Sequence, residues 1–218
     1  MVAVDKEIKV EFQGVILQGH LTVPEGATSI ILFAHGSGSG RHSPRNQLVA
    51  NLLNEHRLGT LLFDLLTPEE EKEDAATGEY RFDIVLLADR LKAVTDWLKR
   101  DEELGSKKIG YFGASTGAAA ALVAAQLEKD KVSAIVSRGG RPDLALDILS
   151  DIKAPVLLIV GGNDKEVIPL NELALDELTC VKKLEVVPGA THLFEESGAL
   201  KTVADLAAAW FLKYCTPP

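Results

Sequence analysis

Short apolar runs alternate with longer amphipathic segments over most of the chain. Residues 6–12 and 15–23 alternate between apolar and polar positions on either side of Gly14, which predicts an antiparallel β-hairpin. From residue 29 onward, continuously apolar runs predict strands that are buried on both faces of a parallel sheet. These predicted strands cover residues 29–34, 60–63, 109–112, 132–136, 155–160 and 184–187.

The segments between these strands place apolar residues on one helical face. The predicted helices cover residues 44–55, 80–100, 116–128, 169–178 and 199–214, with a short helix near 143–149. The acidic segment 68–74 is predicted to be a solvated loop. Strands and helices that alternate in this way predict an α/β fold with a mostly parallel sheet and helices on both faces. We see no linker or repeat that would divide residues 1–218 into two domains.

Composition narrows the class of protein. The 218 residues carry a net charge of −9 at pH 7, which disfavours a nucleic-acid partner because such proteins usually present a basic face. The N-terminus has charged residues where a secretory signal has an apolar core, and no apolar run approaches the ~18 residues of a membrane span. We therefore expect a cytoplasmic protein with no membrane partner, in which Cys180 and Cys215 are reduced thiols.

Chemically reactive residues follow three of the predicted strands. In parallel α/β sheets, functional groups collect at the carboxyl ends of the strands. Ser115 follows residues 109–112 inside Gly-Ala-Ser-Thr-Gly, Asp164 follows residues 155–160, and His192 follows residues 184–187. A serine becomes a nucleophile when a histidine takes its proton, and a carboxylate orients that histidine. The three residues are therefore candidates for a catalytic triad.

Each part of this interpretation has an alternative. The glycine-boxed serine is also typical of a plain turn between a strand and a helix, and Asp143 and Glu166 are competing acids.

If the serine is a nucleophile, the oxyanion of its tetrahedral intermediate needs two backbone N–H donors. We predict these donors at Thr116, directly after the serine, and at Ser37, in the glycine-rich loop that follows residues 29–34.

The same glycine loop resembles part of a dinucleotide-binding fingerprint, with Asp64 as the ribose-binding acid. Its spacing is Gly-x-Gly-x-Gly, and residues 41–45 separate it from the next helix, so no helix N-terminus faces a pyrophosphate directly. The interpretation also leaves the serine, aspartate and histidine unexplained. We therefore expect no cofactor and no metal.

These residues resemble the α/β-hydrolase superfamily, and within it the dienelactone-hydrolase-like branch of small, lidless enzymes. The resemblance runs from Phe33-Ala-His-Gly36 to Gly189-Ala-Thr-His-Leu-Phe194. It implies an α/β-hydrolase fold with about eight strands, and it assigns the triad to Ser115, Asp164 and His192. Dienelactone hydrolases proper have a cysteine nucleophile, so the serine favours general ester hydrolysis over lactone hydrolysis. Some similar sequences are fused to phosphoribosyltransferases, a domain that is not expected in these 218 residues.

The sequence therefore predicts a serine hydrolase that cleaves small carboxylic esters through an acyl-enzyme. Lactone or thioester hydrolysis and acyl transfer are alternatives, and so is a non-catalytic protein that binds a small anionic ligand. Arg41, Arg81 and Arg138 lie near the predicted site, and the resembled family holds substrate carboxylates with arginines. Arginine suits bidentate recognition of carboxylate or phosphate, which favours an ester with an anionic remote end. The competing interpretation pairs each arginine with an acid of the protein.

Overall fold

The computed structural model describes residues 1–216, in which eight strands form one sheet. The strands are β1 Val2–Phe12, β2 Val15–Pro24, β3 Ser29–Ala34, β4 Gly59–Phe63, β5 Lys108–Ala114, β6 Val132–Arg138, β7 Val156–Gly161 and β8 Lys182–Val187. Their order across the sheet is β1-β2-β4-β3-β5-β6-β7-β8. The six apolar runs of the sequence are all strands, with ends within two residues of the predicted ones.

Strand direction brings the candidate residues to one edge of the sheet. β1 and β2 form the predicted antiparallel hairpin, β2 pairs antiparallel with β4, and the remaining pairs are parallel. The register places Ala34 beside Gly113, and Ala114 beside Arg138. The loops after β3, β5, β6, β7 and β8 therefore leave the sheet at the same edge.

Helices cover both faces of the sheet, as predicted. They are α1 Pro44–Glu55, α2 Pro68–Thr77, α3 Ile84–Arg100, α4 Thr116–Glu128, α5 Ile168–Glu177 and α6 Ala199–Tyr214. One apolar cluster joins the sheet to α1 and α6, and a second cluster joins its other face to α3 and α4. Burial of these apolar surfaces is the main force that holds the layers together. No helix within residues 1–216 has the length and hydropathy of a membrane-spanning segment.

The prediction of a solvated loop over residues 68–74 is wrong, because this segment begins α2. Thr67 is the N-cap, and its side chain accepts a hydrogen bond from the backbone N–H of Glu70. The Glu70 carboxylate accepts one from the N–H of Thr67, so the two residues form a reciprocal capping box. Pro68 takes the first helical position, and Gly78 ends the helix in the left-handed conformation. These end signals decide the structure although the segment has little apolar periodicity.

Two other predicted helices differ in detail. The segment predicted as a helix over 80–100 is broken: Tyr80–Phe82 is a 3-10 turn, and Asp83 then caps α3 with its side chain. The short helix near 143–149 is a 3-10 segment over Pro142–Asp151. Arg81 therefore lies in a turn before α3, close to the end of α2, and not on the long helix itself.

Candidate active site

Ser115 lies at a sharp turn between β5 and α4. Its backbone has φ +51° and ψ −122°, a conformation that costs a non-glycine residue energy. The residue is half-buried, and the turn places it at the N-terminus of a 13-residue helix. The partial positive charge of a helix N-terminus favours negative charge that develops nearby. A strained serine at this position is the geometry of a nucleophile turn.

The small residues around Ser115 are required by close backbone contacts. A Cβ atom on Gly117 would lie 2.2 Å from the carbonyl oxygen of Ala34, and one on Gly113 would lie 2.4 Å from the Cα of Ala118. Gly36 has the same restriction, since its Cβ would lie 2.9 Å from the Cβ of Ser115. The glycines thus allow β3, β5 and α4 to meet at the serine.

His192 and Asp164 form a direct hydrogen bond. His192 Nδ1 lies 2.7 Å from Asp164 Oδ2, and the Asp164 side chain is 10% exposed. The loops that carry them are joined by Asn163, whose backbone N–H donates to Ala190 O and whose Nδ2 donates to Gly189 O, both at 2.9 Å. With Nδ1 bonded to the carboxylate, the Nε2 atom of His192 is left for another partner.

The two competing acids are placed elsewhere. Asp143 accepts two hydrogen bonds from Arg141, at 2.8 and 2.7 Å, and Glu166 is exposed. Of the three candidate acids, Asp164 is the one that contacts His192. Among the described residues, no hydrogen bond joins Ser115 Oγ to His192. The structure therefore brings together the acid and the histidine, and leaves the serine unbonded at the same edge of the sheet.

The predicted oxyanion donors lie next to each other. Ser37 Oγ and Thr116 Oγ1 are 3.2 Å apart, and within the described residues neither backbone N–H donates a hydrogen bond. His35 holds the loop that contains Ser37. Its Nε2 accepts a hydrogen bond from the N–H of Leu65 at 2.9 Å, so Nδ1 carries the proton and donates to Gly36 O at 3.0 Å. Burial lowers the pKa of His35, which keeps the ring neutral in this role.

A cavity of about 670 Å³ opens beside these donors. It is lined by residues 35–45, which include the start of α1, by one side of α2 and by Thr116. Glu71 projects there from α2, and burial together with the nearby Asp64 charge raises its pKa. No motif in the sequence marks Glu71, because residues 68–74 are predicted there to be a solvated loop.

The three arginines that the sequence places near the site differ in their contacts. Arg41 forms an ion pair with Asp64, and Arg81 donates to Asp74 from both its backbone N–H and Nε, at 2.9 and 2.8 Å. The guanidinium of Arg138 makes no hydrogen bond or ion pair with a described residue. Asp64, the proposed ribose-binding acid of the dinucleotide interpretation, is thus occupied by Arg41. In residues 1–216, no group of three or more His, Cys, Asp or Glu side chains is arranged to hold a metal ion.

The eight-stranded sheet, its flanking helices and the loop positions define an α/β hydrolase. The sequence profile of the Dienelactone hydrolase family matches residues 48–211. A crystal structure of a dienelactone hydrolase from Anabaena variabilis is 54% identical, with a TM-score of 0.95 over 98% of this chain and 99% of that one. The chain therefore belongs to the dienelactone hydrolase family.

Two further comparisons concern a protein of lower sequence identity and a pair of longer proteins. Est1E from Butyrivibrio proteoclasticus shares the fold, with a TM-score of 0.80 at 17% identity over 95% of this chain and 98% of that one. Proteins from two strains of Mycobacterium tuberculosis, named provisionally as phosphoribosyl transferases, are 54% identical over 98% of this chain. The match covers 47% of each of these proteins, so the chain spans about half the length of the curated relatives it matches.

Proposed function

We propose that this hydrolase is a serine esterase that cleaves small carboxylic esters through an acyl-enzyme on Ser115. The observation that carries the proposal is the 2.7 Å hydrogen bond between His192 and Asp164, at the edge of the sheet where the strained, half-buried Ser115 lies. A carboxylate that accepts from Nδ1 orients the imidazole and stabilises its charged form. Nε2 is then the basic atom.

The reaction takes two steps of the same kind. His192 Nε2 takes the Ser115 hydroxyl proton while Oγ attacks the ester carbonyl, and the imidazolium then gives that proton to the departing alcohol. Water next loses a proton to Nε2 and attacks the acyl-enzyme, and the Ser115 oxygen regains the proton as the acid leaves. The N–H groups of Thr116 and Ser37 stabilise the oxyanion of both tetrahedral intermediates. The cavity of about 670 Å³ falls in the size range of small-molecule sites.

Labelling with a fluorophosphonate probe tests the nucleophile. We expect the wild-type protein to be labelled at Ser115, and both labelling and hydrolysis of p-nitrophenyl butyrate to be lost in Ser115→Ala. Ser39→Ala is the matched control, because Ser39 lies in the cavity-lining loop and its side chain makes no hydrogen bond to a described residue. Labelling that persists in Ser115→Ala would contradict the proposal.

The absence of a Ser115–His192 hydrogen bond favours a second candidate function, a hydrolase-fold protein that binds a small ligand without turnover. Hydrogen bonds between catalytic groups are often long in unliganded enzymes, and they tighten when substrate binds. A folded wild-type protein that neither labels nor hydrolyses p-nitrophenyl esters of any acyl length would support this binding function.

The acyl acceptor and the leaving group define the remaining alternatives. Lactones and thioesters pass through the same acyl-enzyme, and acyl transfer would replace water with another acceptor. Parallel assays with a p-nitrophenyl ester, a five-membered lactone and an acyl thioester separate them by kcat/KM. The phosphoribosyl transferase name applies to proteins about twice as long as this chain. The family match and the site geometry of this chain support hydrolysis.

A further inference from the structure

Arg138 is a buried charge that has no partner in the protein. The residue ends β6 and is 7% exposed. Its Nε and Nη1 atoms are buried without a hydrogen bond, and no described carboxylate forms an ion pair with the guanidinium. Burying an ion without a counter-charge is unfavourable, so a bound anion would stabilise the Arg138 guanidinium.

Other arginines at this edge of the sheet do not share this property. Arg41 pairs with Asp64, Arg81 with Asp74, and Arg141 with Asp143. The difference is not one of sequence context, since Arg138 and Arg141 flank the same Gly-Gly pair. Of these four arginines, Arg138 is the one whose side chain has no partner among the described residues.

Arg138 lies directly beside the proposed catalytic residues. Its carbonyl oxygen accepts a hydrogen bond from the N–H of Ser115 at 3.3 Å. The next residue, Gly139, abuts His192, because a Cβ there would lie 3.5 Å from Nδ1. Side chains alternate along a strand, and Ala134 and Val136 pack with α1 and α6. The Arg138 side chain therefore points to the α1 side of the sheet, at the edge where α1 begins.

A second positive group lies on the first turn of α1. Arg45 contacts Glu195, the neighbour of Phe194, and a Cβ on Gly139 would lie 3.4 Å from the Phe194 ring, so Arg45 lies close to the end of β6. Burial, and next the charge of Arg45, lower the pKa of Arg138 to about 10. Arg45 has an ion pair with Glu195 at 2.9 Å, but that carboxylate side chain is 61% exposed, and Arg45 Nε is buried without a partner. The first turn of the 12-residue α1 has no acidic residue to offset its positive end. A neighbouring like charge disfavours the charged form of each guanidinium, and an anion bound between the two would offset this repulsion.

We propose that Arg138, Arg45 and the N-terminus of α1 form a subsite for a phosphate monoester group on the substrate. The charge count favours a dianion: one guanidinium is unpaired, the second has a solvent-screened partner, and the helix adds a further partial charge. The proposal rests on the proposed esterase function in one respect: that function identifies the bound anion as part of an ester substrate. The anion site itself follows from the buried cation.

Three p-nitrophenyl esters of equal chain length test the subsite: the neutral butyrate, the singly charged succinate and the 3-phosphonopropionate, a stable phosphate analogue. We expect kcat/KM for the phosphonate ester to exceed that for the butyrate by at least tenfold, a difference of about 1.4 kcal/mol. In Arg138→Met this ratio falls tenfold or more, and in Arg141→Met, the matched control, it keeps the wild-type value. A higher kcat/KM for the succinate than for the phosphonate would overturn the phosphate assignment.

A binding measurement separates this proposal from the esterase proposal. We expect 3-phosphonopropionate to raise the Tm of Ser115→Ala, and to have no effect on Ser115→Ala/Arg138→Met. Without ligand, Arg138→Met unfolds at a Tm no lower than the wild type, because it removes an uncompensated buried charge. Ester turnover with no phosphonate preference and no Tm shift overturns the subsite and leaves the esterase intact. A Tm shift that depends on Arg138, in a protein that neither labels nor turns over esters, supports the subsite and overturns the esterase.

Discussion

Ser37 Oγ and Thr116 Oγ1 lie 3.2 Å apart, although 79 positions separate the two residues in the chain. The contact joins the loop after β3 to the first residue of α4, the two segments that carry the proposed oxyanion donors. Because both donors are backbone N–H groups, the side-chain contact holds their spacing and does not itself bind the oxyanion.

Ser37→Ala should therefore have a small effect on turnover. We expect kcat for p-nitrophenyl butyrate to fall by less than about tenfold, whereas loss of an oxyanion donor costs about 10²–10³ in kcat. The free energy of unfolding should fall by about 0.5–1.5 kcal/mol, as for one hydrogen bond. Steady-state kinetics and urea denaturation give both values, with Ser39→Ala as the control. A loss above a hundredfold in a stably folded variant would show that the Ser37 hydroxyl itself acts on the substrate.

Asp164→Asn should nearly abolish turnover while the protein stays folded. An amide at this position favours the wrong tautomer of His192, and the corresponding change in serine hydrolases lowers kcat by about 10⁴. Glu166→Gln and Asp143→Asn are matched controls, and we expect both to keep a kcat close to the wild-type value, because Asp143 pairs with Arg141 and Glu166 is exposed, and neither contacts His192. If Asp143→Asn were the variant that lost activity, the acid would be misassigned.

Gly117→Ala should destabilise the fold and disturb the serine turn together. The added Cβ would lie 2.2 Å from Ala34 O and 2.4 Å from His35 O, both backbone atoms that cannot move independently of β3. We expect the free energy of unfolding to fall by about 3 kcal/mol, the upper part of the range for overpacking. At Gly162 the nearest atom is 3.2 Å away, so Gly162→Ala is the milder comparison in denaturant unfolding. Equal stability of the two variants would contradict the packing argument.

The Glu70–Arg90 pair should make stability depend on pH in the acidic range. Burial raises the pKa of Glu70, but hydrogen bonds from Arg90 and Thr67 and the Arg90 charge outweigh it, so the folded-state pKa is lowered. A lowered folded-state pKa adds stability above the unfolded-state value of about 4.3, and this stability is lost as pH falls through the folded-state value. The Tm should be measured at pH 6 and at pH 3, which lie about a unit or more above and below the unfolded-state pKa. We expect the Tm to fall less between these two pH values for Glu70→Gln than for the wild type. Parallel curves for the two proteins would show that the pair adds no acid-dependent stability.

Local sequence pattern was sufficient for most of the fold. The apolar runs predicted the six central strands, and both α4 and α6 have the predicted ends, because a buried strand and an amphipathic helix each have a characteristic periodicity. The α2 segment was missed because its helix depends on Thr67, Pro68 and Glu70 as end signals and has little apolar spacing. A search for capping boxes would have found it.

The sequence by itself determined the order of strands and helices and placed a serine, an acid and a histidine after particular strands, because these features depend on residues close together in the chain. Only the tertiary structure decided which charged groups meet. Asp164 contacts His192, Asp74 pairs with Arg81, and Arg138 is left without a carboxylate. The physical reason is that an ion pair depends on the distance between loops that are far apart in sequence, and packing of the whole sheet sets that distance.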